Sequence, residues 1–358
     1  MSAELAQVRI EETLRVARSR GASDVHLTSG AAPVFRVNGV LESQNTLPIA
    51  FDELHSIATL LLDQAMRAHL ERDGDVTVMY RATGCAHARA HLYKTHQGTN
   101  VAFRLLAAQV PTLESLHLPA VVQSFAVRSG GLILFAGPTG SGKSTALAGL
   151  VDRINRTSAR HIITIEDPVE YRHEAVSSVL GQREIGTDVP SFARAVYGAL
   201  RCDPDVLLIG EMRTAETMHA ALTAAETGHL VLSTLHTGDA VQTIDRIIGS
   251  FEGALQEQVR ISLAQTLVAA ICLRLVPALC GGRRPAAEVL LVNHAVRNLI
   301  REGKTHQIRN VMETSRNEGM QTLEAHLGDL VARGDVCADA ALAAAARPDA
   351  LQRAMAMR

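Results

Sequence analysis

The chain has 358 residues, 47% hydrophobic and 20% charged, an ordinary globular balance with length for about two domains. A net charge of −2 and a pI near 6.7 exclude bulk attraction to nucleic acid or acidic lipid, so any anion site must be local. Tryptophan is absent, and the five cysteines (Cys85, Cys202, Cys272, Cys280, Cys337) form no CxxC pair, which argues against both a zinc site and a disulfide framework.

Residues 3–20 have helical spacing (Leu5, Val8, Leu14, Ala17) and stop at Gly21. VHLTSG and PVFRVNGVLES follow, the second carrying the hairpin signal Asn38-Gly39. FDELHSIATLLLDQAMRAHLERDG reads as one amphipathic helix closing at Gly74. Three alternating runs come next, DVTVMYRATG, CAHARAHLYKTHQG and TNVAFRLLA, separated by glycine turns. In the second, a period of two places His87, Arg89 and His91 on one face; in the third, Val101, Phe103 and Leu105 face away from Arg104. Residues 1–107 are expected to form a small α+β domain with a mainly antiparallel sheet, and QVPTLESLHLP with its two prolines a linker over 108–120.

From 121 to 358 the pattern changes. GLILFAG, HIITIED, DVLLIGE and HLVLSTLHT are nearly continuous apolar runs, as strands buried on both faces of a parallel sheet must be. Helical stretches separate them, which predicts a doubly wound α/β core. After about Asp239 the chain is read as almost entirely helical. The greasiest segment, SLAQTLVAAICLRLVPALC, is broken by Gln265, Arg274 and Pro277 and cannot span a bilayer, and the N-terminus lacks a signal-peptide core. A soluble cytoplasmic protein is expected.

GPTGSGKS (Gly137–Ser144) fits G-x-x-x-x-G-K-[ST] in full, after a strand and before a helix. Its glycines let backbone N–H groups turn inward on a phosphate, and the helix N-terminus adds partial positive charge. Lys143 would reach the β- and γ-phosphates and Ser144 would ligate Mg²⁺. The nucleotide contacts are assigned to Gly137, Pro138, Thr139, Gly140, Ser141, Gly142, Lys143, Ser144 and Thr145. The other three strands end in Glu166-Asp167, Glu211 and His236, and ligands of open α/β sheets lie beyond the carboxyl ends of strands. Glu211 is placed to polarise an attacking water, and Glu166 to assist the metal or that water. With Ser144 they form the candidate metal set. His236 is read equally as a γ-phosphate sensor and as a satisfied core histidine.

The motifs GPTGSGKST, ITIEDPVEY, LLIGEMR and LSTLHT resemble the Walker A, Asp-box, atypical Walker B and His-box motifs of the type II/IV secretion ATPases. GQREIG, ALRCDPD, TAAETGHL and AVRNLIREGK (Ala295–Lys304) extend the resemblance over Ser23 to Gly334, and the last is similar to a segment of twitching-motility retraction ATPases. The resemblance implies a RecA-like P-loop core behind a PAS-like N-terminal domain, assembled as a homohexamer. It implies hydrolysis of ATP with Mg²⁺ to return pilin to the inner membrane, from the cytoplasmic face and through a membrane platform protein. It further implies active sites near subunit boundaries, with Arg89 and Arg104 where the family has phosphate-directed arginines. The alternative is a solvated strand face. His87 and Gln97 stand where arginines are common, and Gly181 replaces an asparagine. Competing readings are a secretion-system ATPase, a catalytically silent ring subunit and a nucleic-acid motor, the last disfavoured by charge and scarce aromatics.

Overall fold

The computed structural model describes residues 3–37, 39–80, 88–105 and 110–356. The chain divides into two compact units, Met1–Gln109 and Val110–Arg358.

The N-terminal unit contains α1 (Ala3–Ser19), β1 (Ala22–Leu27), β2 (Val34–Val37), β3 (Val40–Ser43), α2 (Phe51–Leu61), α3 (Gln64–Asp73), β4 (Asp75–Tyr80), β5 (Ala88–Thr95) and β6 (Gly98–Leu105). Its sheet has the order β3-β2-β1-β6-β5-β4, with every pair antiparallel. On α1 the buried stripe is Ala6, Ile10, Leu14 and Ala17, spaced for one helical face. Leu5 and Val8, expected inside, are exposed because that stripe runs along the next row. The single helix expected over 51–74 is two. Leu62 turns extended, and Asp63 caps a fresh start by accepting from the Met66 N–H at 2.8 Å. Gly74, left-handed at φ +88°, closes α3 where expected.

Along β5, Ala88, Ala90 and Leu92 are buried against Val101 and Phe103, while Arg89 and His91 take the other face. Cys85, His87 and Asn38 lie outside the described residues. Strand register places Arg89 opposite Arg104, Arg104 opposite Asp24, and Asp24 opposite Arg36. Three guanidinium groups thus share one row across four strands with a single carboxylate.

The C-terminal unit opens with residues 110–119, read from sequence as linker. Leu113 is buried there in the core beside Ile133 and Leu150, and Glu114 pairs with Arg153 at 2.6 Å. The core elements are β7 (Gly131–Ala136), α4 (Lys143–Thr157), β8 (His161–Glu166), β9 (Val179–Glu184), α5 (Phe192–Ala199), β10 (Val206–Ile209), α6 (Ala215–Glu226), β11 (Leu230–Leu235), α7 (Ala240–Ile248) and α8 (Ala254–Thr266). Then come β12 (Leu267–Pro277), β13 (Arg283–Leu291) and α9 (His294–Arg301). The sheet order is β13-β12-β7-β11-β10-β8-β9, parallel except for β13. Ile133 and Phe135 pack under α4, while Leu132, Leu134 and Ala136 pack under α5 to α8. Each of these leucine, isoleucine and phenylalanine side chains contributes roughly 1.5–3 kcal/mol of burial.

The helical reading of the chain beyond Asp239 is corrected by β12 and β13. VAAICLRLVP is buried on both faces, so it lacks the alternation that marks a half-exposed strand and looks like a core helix. Gly281 and Gly282, at φ +87° and +73°, turn it back as a hairpin. The helical tail begins at α9 and continues as α10 (Ile308–Thr314), α11 (Leu323–Ala332), α12 (Ala338–Ala344) and α13 (Pro348–Ala356). No helix among the described residues is long and apolar enough to cross a membrane.

Candidate active site

Parallel strands put their carboxyl ends on one edge of a sheet. Because β7, β11, β10 and β8 are neighbours in that order, the residues that follow them line up along the edge: Gly137, His236, Glu211 and, ending β8, Glu166. Four motifs spread over a hundred residues of sequence become one row.

The loop after β7 is shaped by glycine. Gly137, Gly140 and Gly142 have φ of +138°, +77° and +93°. Only Gly fits at 137, where a Cβ would lie 2.4 Å from the Leu273 carbonyl oxygen. Gly142 caps α4 without a side-chain hydrogen bond, so no side chain screens the first-turn amides from an anion. Beside them the Ser141 hydroxyl is buried with no hydrogen-bond partner among the described residues, an orphan of the kind a ligand satisfies. Lys143 is only 7% exposed and donates from Nζ to the Gly137 and Pro138 carbonyls at 2.8 and 2.9 Å. Burial lowers its pKa, opposed by the nearby charges of Glu211 and Glu170. Ser144 is exposed at the start of α4, and the Thr145 and Tyr171 hydroxyls meet at 2.9 Å.

Glu166 Oε1 accepts from Thr164 Oγ1 at 2.6 Å and from Gln182 Nε2 at 3.3 Å. Burial nevertheless pushes its carboxyl above the ordinary value. Glu211 Oε2 pairs with Arg213 Nε at 2.7 Å and faces His236 Nε2 at 3.3 Å. The His236 side chain is 46% exposed, which removes the core-histidine alternative. Among the described residues, no group of three His, Cys, Asp or Glu side chains could hold a metal. The set fits Mg²⁺ all the same, since that ion takes one or two protein ligands and completes its shell with phosphate and water. Ser144, Glu166 and Glu211 offer a hydroxyl and two carboxylates for that purpose.

Arg89 and Arg104 lie in the N-terminal unit. Arg104 Nε donates to Asp24 Oδ1 at 3.0 Å with over half its side chain exposed. Burial alone would raise the Asp24 pKa, but hydrogen bonds from Ser23 and Arg104 and the charge of Arg104 hold it below the ordinary value. Arg89 makes no ion pair among the described residues, and Gln97 is exposed in the β5–β6 turn. Sequence reasoning passed over Arg213, Gln182, Thr164 and Tyr171. Each stands inside a quoted motif; Gln182 reaches Glu166 from a neighbouring strand and Tyr171 reaches Thr145 on α4, contacts that spacing does not encode, while Thr164 and Arg213 sit two residues from the carboxylates they meet.

Comparison with known proteins places this geometry. Residues 2–342 match the family described as type II/IV secretion system protein. The chain is 38% identical over 325 residues to the type IV pilus retraction ATPase PilT of Pseudomonas aeruginosa, covering 91% of this chain and 94% of that one. It is 39% identical over 326 residues to the twitching motility protein of Neisseria gonorrhoeae, covering 89% and 87%. A crystal structure of the pilus retraction motor PilT with bound ADP superposes with a TM-score of 0.90 at 42% identity, covering 96% of this chain and 99% of that one.

Proposed function

This chain belongs to the type II/IV secretion system protein family, and we propose that within it the chain is the ATP-hydrolysing motor that drives type IV pilus retraction. It is a P-loop ATPase with a RecA-like core and a smaller α+β unit ahead of it. One observation carries the catalytic reading. The uncapped start of α4, Lys143, Glu166 and Glu211 share the carboxyl edge of one parallel sheet.

The residues divide the work as follows. The backbone N–H groups of the loop from Gly137 to Thr145, Pro138 excepted, bind the phosphates, and Lys143 exchanges the Gly137 and Pro138 carbonyls for phosphate oxygens. That exchange replaces two neutral acceptors by charged ones, which strengthens each hydrogen bond. Ser144, with help from Glu166 and Glu211, would hold Mg²⁺, which would neutralise charge on the phosphate oxygens. Glu211 orients and polarises the attacking water; Arg213 and His236 hold its carboxylate in place until then. His236, beside Glu211, senses the γ-phosphate. Arg104, and secondarily Arg89, serve phosphates bound by a neighbouring chain in a homohexameric ring. That ring works at the inner face of the bacterial inner membrane through a platform protein, without direct contact to nucleic acid.

The experiment replaces the host's own copy with Glu211→Gln and watches labelled pili. Pili that extend and do not retract support the reading. Normal retraction overturns it, and normal retraction with a secreted protein trapped inside the cell favours the secretion-system alternative.

A further inference from the structure

Gln182 lies on β9, the edge strand beside β8, directly opposite Thr164 in register. Thr164 and Glu166 stand two residues apart on one face of β8, so the Glu166 carboxylate is reached from both strands. The Gln182 amide uses both of its N–H donors and one acceptor site there. Nε2 donates to Glu166 Oε1 at 3.3 Å and to the Tyr171 carbonyl at 2.8 Å, and Oε1 accepts from the His173 N–H at 2.9 Å. These three bonds fix the amide one way round. Turned over, it would set an oxygen against two oxygens and an NH₂ against an N–H. Tyr171 in turn meets Thr145 in the first turn of α4. One edge-strand side chain therefore joins the carboxylate that ends β8 to a segment that touches the phosphate loop's own helix.

We propose that Gln182 is a positioning residue for ATP hydrolysis, which holds Glu166 in its working rotamer and registers it against the start of α4. The inference rests on the role given to Glu166 above. A simple loop anchor would need only the Tyr171 and His173 bonds. The third bond, to the Glu166 carboxylate, is what a positioning role requires, and a carboxylate held between two donors has little freedom to turn.

The test compares Gln182→Met, which keeps size and loses all three bonds, with Gln182→Asn, which keeps the amide one methylene shorter. Each is made alone and combined with Glu166→Gln in the full chain. The proposal expects kcat to fall about 10–100-fold in Gln182→Met, the range for groups that orient a site residue, and less in Gln182→Asn. The KM for ATP and the affinity for ADP without added metal should stay near wild type, and the unfolding midpoint should drop only by the few degrees that lost part-buried bonds cost, leaving the protein folded at the assay temperature. Adding either change to Glu166→Gln should cost nothing further. If Gln182→Met does not fold, Gln182→Asn carries the same comparison. A normal kcat in the folded variants overturns the proposal, as does a kcat loss that tracks lost stability or ADP affinity. So does an equal further loss in the Glu166→Gln background. Normal turnover by Glu166→Gln alone removes the role of Glu166 and the inference with it, whereas a slow Glu166→Gln beside a normal Gln182→Met sinks the inference alone.

Discussion

Substituting Gly137 by alanine puts a methyl group where the backbone leaves no room for one. The new Cβ would stand 2.4 Å from the Leu273 carbonyl oxygen and 2.6 Å from Ser141 Oγ, and ordinary contact begins at 3.4 Å. Leu273 lies in β12 between β7 and β13, so its carbonyl cannot retreat by the missing ångström without disturbing the sheet. The backbone cost at φ +138° is about 1–3 kcal/mol. Forcing an extra methyl into a packed position adds about 1–3 kcal/mol more. Gly140 is the internal control. It is left-handed at φ +77° but has nothing within 4 Å of its Cβ site among the described residues, so Gly140→Ala bears only the backbone cost of about 1–2 kcal/mol. At roughly 2–4 °C per kcal/mol for a unit of this size, Gly137→Ala should melt well below Gly140→Ala. Because the forced shift also turns the loop amides away, Gly137→Ala should lose ADP binding in a calorimetric titration. Equal melting of the two variants, with wild-type ADP affinity at Gly137→Ala, would refute the packing argument and the cradle geometry together.

Lys143→Ala should abolish hydrolysis with the far-ultraviolet spectrum unchanged, because it removes a point charge from the phosphates and no apolar core contact; near-normal turnover by the folded variant contradicts this. Glu288 is buried, which raises its pKa, and it accepts from the Ala240 N–H at 2.8 Å, a bond a glutamine oxygen can also make. A raised folded-state pKa gives stability that is complete below the unfolded value and lost as pH rises through the folded value. Glu288→Gln should therefore melt above wild type in alkaline buffer, with the gap closing on acidification; a gap that widens in acid reverses the sign and rejects the assignment. Chains with Arg104→Ala and chains with Glu211→Gln, each inactive alone, should regain partial turnover when mixed in one ring. Arginines supplied in trans contribute about 10³–10⁵-fold in other NTPases, and less is expected here because His87 and Gln97 replace family arginines. No recovery in verified mixed rings rejects action between chains.

The parts of this fold that were legible in sequence are those in which chemistry and chain continuity coincide. GPTGSGKS states its own turn, cap and helix in eight consecutive residues, and strands buried on both faces announce a parallel sheet through unbroken apolar runs. The same lack of alternation hid β12, since VAAICLRLVP is equally apolar as strand or helix until Gly281 and Gly282 decide it. Asp63 broke a helix that periodicity carried straight through, because capping is a side-chain bond and leaves no trace in a hydrophobic pattern. Pairing across the chain was the least visible. Arg104 meets Asp24 across 80 residues, and Gln182 meets Glu166 across 16, so both partnerships follow from strand order and register alone. The charge of Arg104 could be read from the sequence; its aspartate could not.

The central claim is that Glu211 acts on the water while the loop and Lys143 hold the nucleotide, and a single-turnover comparison of Glu211→Gln with wild type tests it most directly. With radiolabelled ATP, binding and cleavage are read in the same sample. The account predicts wild-type ATP affinity and a hydrolysis rate about 10²–10⁴-fold lower, the usual contribution of a positioned general base. Lost binding with an undiminished residual rate would contradict it and leave Glu211 with a structural or metal-holding role alone.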